Sequence, residues 1–269
     1  MNIPNQNTIG PDNSQPITNR LVVIIPCYNE EKRLQVDKYA LIARQNPEIT
    51  LLFVNDGSSD ATLQILQKMS ESIANISYLD IQHNCGKAEA VRQGFLHTLN
   101  QTQSQCIAFY DADMATPFND LLAMVDMLVK SDLYMVTGCR FKRMGGNINR
   151  RYSRFLLGRI FATCAANVLC LPVYDTQCGA KVLKTSIIPD IFNEKFVSKW
   201  LFDIELFARI ILRFGINTAL EKIIEYPLSA WTEIGDSKLK FKDVIRQPYN
   251  LLKINNHYKI KNYAKQTCH

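Results

Sequence analysis

Residues 50–62 read TLLFVNDGSSDAT: a run of apolar and β-branched residues gives way to a polar cluster, and helix-forming sequence follows. An apolar run of this length, bounded by turn residues, reads as a strand buried on both faces. Gly57 permits the tight turn, and Asp60 is placed to cap a helix beginning near Ala61. The same grammar recurs on either side. Apolar runs at 21–26, 76–81, 106–110 and 133–138 alternate with amphipathic stretches, and polar clusters stand at 27–30, 56–60, 83–87 and 111–113. This alternation predicts a mainly parallel sheet covered by helices. Parallel strands gather their polar ends along one edge, where open α/β sheets bind ligands.

Beyond residue 138 the pattern becomes a basic loop, a helix at 150–170, a short strand near 179–183 and a second helix at 200–214. In the first helix Leu157, Ile160, Phe161, Cys164, Ala165, Val168 and Leu169 form an apolar stripe, and Arg150, Arg151, Arg154 and Arg159 crowd its start. A membrane span over 155–173 is opposed by Arg159, Asn167 and Pro172, since an arginine there costs roughly 2.5–3.5 kcal/mol. Two readings remain, an interfacial helix beside a lipid headgroup and a helix packed on the sheet.

The 269 residues, 47% of them apolar, suffice for a single domain. The expected layout is a loose tail at 1–20, a domain at 21–237 and a basic segment at 238–269, with a donor half to 138 and an acceptor side from 139. The tail has neither a basic start nor an apolar run, so no signal peptide or anchor is expected. Eight cysteines without a CxxC pair predict reduced thiols, and with them a cytoplasmic protein, peripheral on the cytoplasmic face of any membrane it touches. Of 31 Lys and Arg, seven fall in 140–159 and eight in 238–269. Such clusters suit an anionic partner, either a phosphorylated substrate or a membrane surface, and equally a solvated face. Nucleic acid is not expected, because no zinc-knuckle, RNP-like or helix-turn-helix pattern accompanies them.

Asp111 and Asp113 follow a strand, where carboxylates two apart offer the hard oxygens that Mg2+ or Mn2+ prefers. Alone, such a pair is as readily a turn or a cap. Asp203 and Glu205 lie inside WLFDIELF, where burial is costly unless each carboxylate has a partner or faces a cleft. Asp175 and Gln177 occupy a short turn, DTQCG, suited to sugar hydroxyls or an acceptor, or to structure alone.

Taken together, IIPCYNEE at 24–31, FVNDGSSDAT at 53–62, NCGKAEAVRQGF at 84–95 and FYDADMATP at 109–117 resemble the family 2 inverting glycosyltransferases of the GT-A fold. The later segments GCRF at 138–141, YDTQCGAKVL at 174–183, KWLFDIELFARI at 199–210 and WTEIGDSKL at 231–239 are similar to polyprenyl-phosphate sugar transferases. The resemblance implies one domain with a Rossmann-like, mostly parallel central sheet flanked by helices. It implies transfer of a hexose such as glucose from a nucleotide-sugar to a polyprenyl-phosphate lipid. Pro26, Tyr28 and Glu30 would line the base and ribose pocket, Asp56 would bond the nucleotide, and Asp111 and Asp113 would bracket the metal beside the donor. Lys87 and Arg140 would contact phosphate or neighbouring carboxylates. Asp203 matches the family's general base, although Phe202 stands where a first acid is usual, and a lipid phosphate, ionised near neutral pH, leaves Asp203 only to orient. The basic clusters suggest Arg150, Arg151, Arg154 and Lys238 for the acceptor phosphate. Ala115 replaces the polar residue of many mannose synthases, which favours a UDP-sugar over GDP-mannose and leaves donor oxygens to complete the metal shell. Two other readings fit the same residues: transfer to a hydroxyl with Asp203 as base, and a nucleotide-sugar-binding regulator without turnover.

Overall fold

The computed structural model describes residues 21–99, 104–149, 152–232, 241–261 and 263, with the side chains of 152–154 and 241–246 excepted. Among the described residues nine strands form: β1 (Leu21–Cys27), β2 (Ile49–Asp56), β3 (Ile76–Ile81), β4 (Cys106–Tyr110), β5 (Met135–Cys139), β6 (Asn147–Asn149), β7 (Ala180–Lys184), β8 (Ile223–Pro227) and β9 (Ala230–Thr232). Seven of them make one sheet in the order β3-β2-β1-β4-β7-β5-β8, and β6 pairs with β9 apart from it. The expected parallel architecture is present, with one exception at its centre. β7 runs antiparallel between β4 and β5, setting Lys181 opposite Phe109 on one side and Thr137 on the other.

The helices are α1 (Val36–Gln45), α2 (Thr62–Ser72), α3 (Lys87–Leu99), α4 (Phe118–Lys130), α5 (Tyr152–Leu169), α6 (Ile188–Phe192), α7 (Phe202–Phe214), α8 (Ile216–Lys222) and α9 (Phe241–Tyr258). They cover both sheet faces, and strand alternation decides which side chain meets which layer. Val22 and Ile24 of β1 join Phe95 of α3 and Phe207 of α7, whereas Val23 and Ile25 join Tyr39 of α1, Leu66 of α2 and Met124 of α4. Each such fully buried side chain stabilises by about 1.5–3 kcal/mol relative to exposure. A Cβ on Gly94 would lie 2.6 Å from Ile24 Cγ2, so α3 lies flush on the sheet only because that residue has no side chain.

Two sequence expectations change. The stripe of α5 divides: Ala165 and Leu169 are buried and Phe161 and Val168 pack partly on the core, whereas Leu157, Ile160 and Cys164 are exposed. The basic segment set apart at 238–269 contributes α9, whose Leu251 and Ile254, with Ile260 beyond it, enter the core cluster shared with α7. Its apolar spacing was obscured by the lysines around it. None of the seven described cysteines is in a disulfide. Among the described residues no helix is long and apolar enough to cross a membrane.

Candidate active site

The loops leaving β1, β2 and β3 are laced to one another. Asn29 N–H donates to Ser58 Oγ at 3.0 Å, Ser59 N–H to Asn29 Oδ1 at 2.8 Å, and Glu30 N–H to Thr62 Oγ1 at 2.8 Å. Asp60 accepts from Thr62 N–H and Glu31 N–H, but the residue at the N-cap of α2 is Ala61, so Asp60 braces the turn ahead of the helix and is not its cap. Gly57 adopts φ +61°, and a Cβ there would meet Asn84 N at 2.5 Å. Both Asp56 oxygens accept backbone N–H groups, Cys85 at 2.7 Å and Gly86 at 2.9 Å. The carboxylate expected to bond a nucleotide therefore shapes the loop before α3, and a nucleotide contact has only its remaining lone pairs. Pro26, next to last in β1, pairs with Val54, Glu30 is buried, and Tyr28 stands 40% exposed at the rim.

The DAD turn is held from three sides. Gln35 Nε2 donates to Asp113 O at 3.1 Å and Tyr39 Oη to Ala112 O at 3.2 Å, both from the α1 side. Asp111 N–H donates to Gly179 O at 2.8 Å, and Ala115 N–H to Asp113 Oδ1 at 3.0 Å. A Cβ on Gly179 would stand 2.1 Å from Asp111 Oδ2, so the turn before β7 leaves room for that carboxylate only as glycine. Lys87, first residue of α3, pairs with Asp111 Oδ1 at 2.6 Å. Burial opposes its charge, yet Asp111 and Asp203 hold the ammonium above the ordinary lysine range. Burial, and next the Asp111 charge, push the Asp113 carboxyl upward.

Arg140, just past β5, forks onto Asp175 with Nε at 2.7 Å and Nη2 at 2.8 Å, and Nη2 also donates to Gln177 O. Its guanidinium lies 5.3 Å from the Trp231 ring centroid. Asp175, considered on the sequence as a catalytic group, is engaged here in fixing Arg140. Glu225 of β8 accepts Tyr174 N–H at 2.8 Å and Asp175 N–H at 2.7 Å, and Arg159 stacks on Tyr174 at 3.6 Å while donating to its carbonyl. The sequence reading gave Glu225 no role; a lone acid in the strand IIEYP was its only signal.

Asp203 and Glu205, neighbours in sequence, separate in role. Asp203 is buried and pairs with Lys181 Nζ at 2.6 Å. Glu205 accepts Val197 N–H at 2.8 Å, Ser198 N–H at 2.7 Å and Tyr258 Oη at 2.8 Å, which ties the loop before α7 and the end of α9 together. That loop returns to the site, since Lys199 O accepts Ala88 N–H. Glu205 thus supports the site from behind.

Asp111 and Asp113 with Lys87, and Arg140 with Asp175, are therefore gathered at the carboxyl edge, with Asp203 behind them. Arg150, Arg151 and Lys238 lie outside the described residues, as does the side chain of Arg154. Among the described residues no group of three or more His, Cys, Asp or Glu stands ready for a metal. Two carboxylates on one turn offer the hard oxygens that suit Mg2+ or Mn2+, and phosphate oxygens of a donor would complete the shell.

The family model for glycosyl transferase family 2 matches residues 22–192. A dolichyl-phosphate beta-glucosyltransferase of Trichomonas vaginalis is 32% identical over 244 residues, covering 86% of this chain and 69% of its own length. That of Saccharomyces cerevisiae is 30% identical over 240 residues, covering 81% and 69%. Among solved structures, glucosyl-3-phosphoglycerate synthase from Mycobacterium tuberculosis, in complex with Mn2+, UDP and glucosyl-3-phosphoglycerate, superposes with a TM-score of 0.66 at 15% identity, covering 88% of this chain and 80% of that one.

Proposed function

The chain belongs to glycosyl transferase family 2, and from that premise we propose that it transfers glucose from UDP-glucose to the phosphate of a polyprenyl lipid of the dolichyl class, inverting the anomeric centre. The observation that carries this reading is the agreement between relatives near 30% identity, named for that reaction, and the Asp111–Lys87 pair at the sheet edge. The solved neighbours with Mn2+ and UDP support a divalent cation and a uridine donor, and Ala115 agrees with the second.

A divalent cation held by Asp111 and Asp113 would neutralise charge on the departing diphosphate. An oxygen of the lipid phosphate attacks the anomeric carbon opposite the leaving group. The new carbon–oxygen bond forms as the bond to the diphosphate breaks, and UDP leaves with the electron pair. Lys87 stands beside Asp111, suited to the developing negative charge, and Arg140, held by Asp175, presents its cationic plane on the acceptor side. The attacking oxygen is already ionised near neutral pH, so no base is needed and Asp203 orients.

For the lipid, the supporting surface is the exposed side of α5 with the loop before it. Leu156, Leu157 and Ile160 are exposed, as are Phe141, Lys142 and Arg143, and Phe141 meets Tyr174, on which Arg159 of α5 stacks. Apolar side chains among cations suit an anionic bilayer surface. A second reading, transfer to a hydroxyl, is favoured by the neighbours whose complexes contain phosphoglyceric acid, and by Asp203 facing the Lys87–Asp111 pair. Assay of UDP- and GDP-sugars against a polyprenyl phosphate and phosphoglyceric acid tests both. Glucose on the lipid from UDP-glucose is expected, and transfer confined to the hydroxyl acceptor would replace the first reading with the second.

A further inference from the structure

Lys181 takes no part in the reaction as set out above, yet it is a fully buried charge within the sheet, where desolvation is costly. It sits in the central antiparallel strand β7 and is wholly enclosed. A buried ion pair is commonly matched or bettered in stability by apolar side chains of similar size, so stability gives little reason for a lysine here. Its Nζ donates to Asp203 Oδ1 at 2.6 Å and to Cys178 O at 2.7 Å. Those two bonds join the first turn of α7 to the 175–179 turn, and the next residue of that turn, Gly179, accepts Asp111 N–H and makes room for the Asp111 carboxylate.

We propose that Lys181 is a positioning residue for the transfer reaction, holding Asp203 in one rotamer behind Lys87 and locking the Cys178–Gly179 turn under Asp111. This rests on the reading of the sheet edge as the transfer site. The charged groups facing Asp203 are Lys181 from β7, Lys87 from α3 and Asp111 at the end of β4. On balance its carboxyl is held above the ordinary aspartate range: burial pushes it up most strongly, Lys181 and then Lys87 pull it down, and Asp111 pushes it up again. Taking Lys181 away removes the largest opposing influence, so Asp203 would hold its proton to higher pH. With Asp203 neutral, Lys87 keeps the charges of Asp111 and Asp113 but loses the carboxylate wall that fixes it from behind.

The test uses Lys181→Met and Lys181→Arg in the full chain. The 13Cγ signal of Asp203, identified by its loss in Asp203→Asn, is followed through a pH titration without substrate. UDP affinity and glucose transfer are measured alongside. In Lys181→Met the Asp203 midpoint should rise by about one pH unit or more. Transfer at neutral pH should fall about tenfold and recover in part at higher pH, with UDP affinity within about twofold of wild type, and Lys181→Arg should restore midpoint and rate. An unmoved midpoint, or an Arg variant no better than the Met variant, would overturn the proposal. Should Lys181→Met not fold, Lys181→Met/Asp203→Leu removes both charges. Its folding at or above the wild-type Tm, without transfer, supports a functional pair, and its failure to fold assigns the pair to structure. Absence of transfer by wild type from every sugar would defeat the proposed function and leave the titration result standing.

Discussion

Replacing Gly179 by alanine should disable the metal-side carboxylate while leaving the fold intact. The added Cβ would lie 2.1 Å from Asp111 Oδ2 and 2.5 Å from its Cγ, far inside any tolerated contact. The carboxylate has to retreat by about 1 Å, because the β7 backbone is fixed by ladders on both sides. That movement breaks the 2.6 Å pair with Lys87 and shifts the first of the two proposed metal ligands. A displacement of about 1 Å at a reacting centre costs on the order of 100-fold in rate, and disturbed ligand support costs about 10–100-fold in metal affinity. Gly179 is not among the glycines with positive φ, so the substitution adds no backbone strain to confuse the result. The assay is glucose transfer over a Mn2+ titration, with thermal unfolding as the check on folding. A Gly179→Ala protein with unchanged Tm and an unchanged Mn2+ requirement would refute the placement of Asp111 beside the metal.

Gly94→Ala is the counterpart in the core: a Cβ 2.6 Å from Ile24 Cγ2 should lower stability by about 1–3 kcal/mol in denaturant unfolding, with the Mn2+ dependence of the surviving enzyme unchanged. Asp60→Ala should cost about 1 kcal/mol by leaving the Thr62 and Glu31 N–H groups without their carboxylate acceptor. Although burial pushes the Asp60 carboxyl up, bonds from Thr62 and Glu31 hold it below its ordinary 3.8. Its stabilisation is therefore fully present above that value and lost as pH falls through the lower folded pKa, which comparison of wild type and variant by acid unfolding would reveal. Arg140→Lys loses the fork onto Asp175 and should reduce transfer about tenfold, read as a rise in acceptor KM with UDP affinity kept. Neutralising Arg150, Arg151 and Arg154 together should weaken use of the lipid phosphate and leave nucleotide-sugar binding nearly unchanged, and equal loss of both would contradict their assignment to the acceptor.

The architecture was legible because the strand–turn–helix grammar repeats, with Gly57, Asp60 and the DAD turn falling where the chain reverses. What escaped is what depends on non-local pairing. Nothing within GAKVLK tells that β7 enters the sheet antiparallel between β4 and β5, and Lys181, a lysine amid apolar strand residues, was passed over because its partner Asp203 lies on another element. Asp56 was read as a ligand contact, and only the folded β3–α3 loop shows two N–H groups already on its oxygens. Asp175 was likewise considered for chemistry before Arg140 was seen forked onto it. The apolar spacing of Leu251 and Ile254 was present in the sequence and masked by the neighbouring basic charge.

The central claim is that Asp111 and Asp113 serve a metal-assisted, inverting transfer. Its most direct test is transfer from UDP-glucose labelled with 13C at the anomeric carbon to a polyprenyl phosphate, with Mn2+ present or removed by EDTA, followed by NMR of the product. The account predicts a β-linked glucosyl phosphate lipid formed only with the divalent ion. An α-linked product, or undiminished transfer in EDTA, would contradict it.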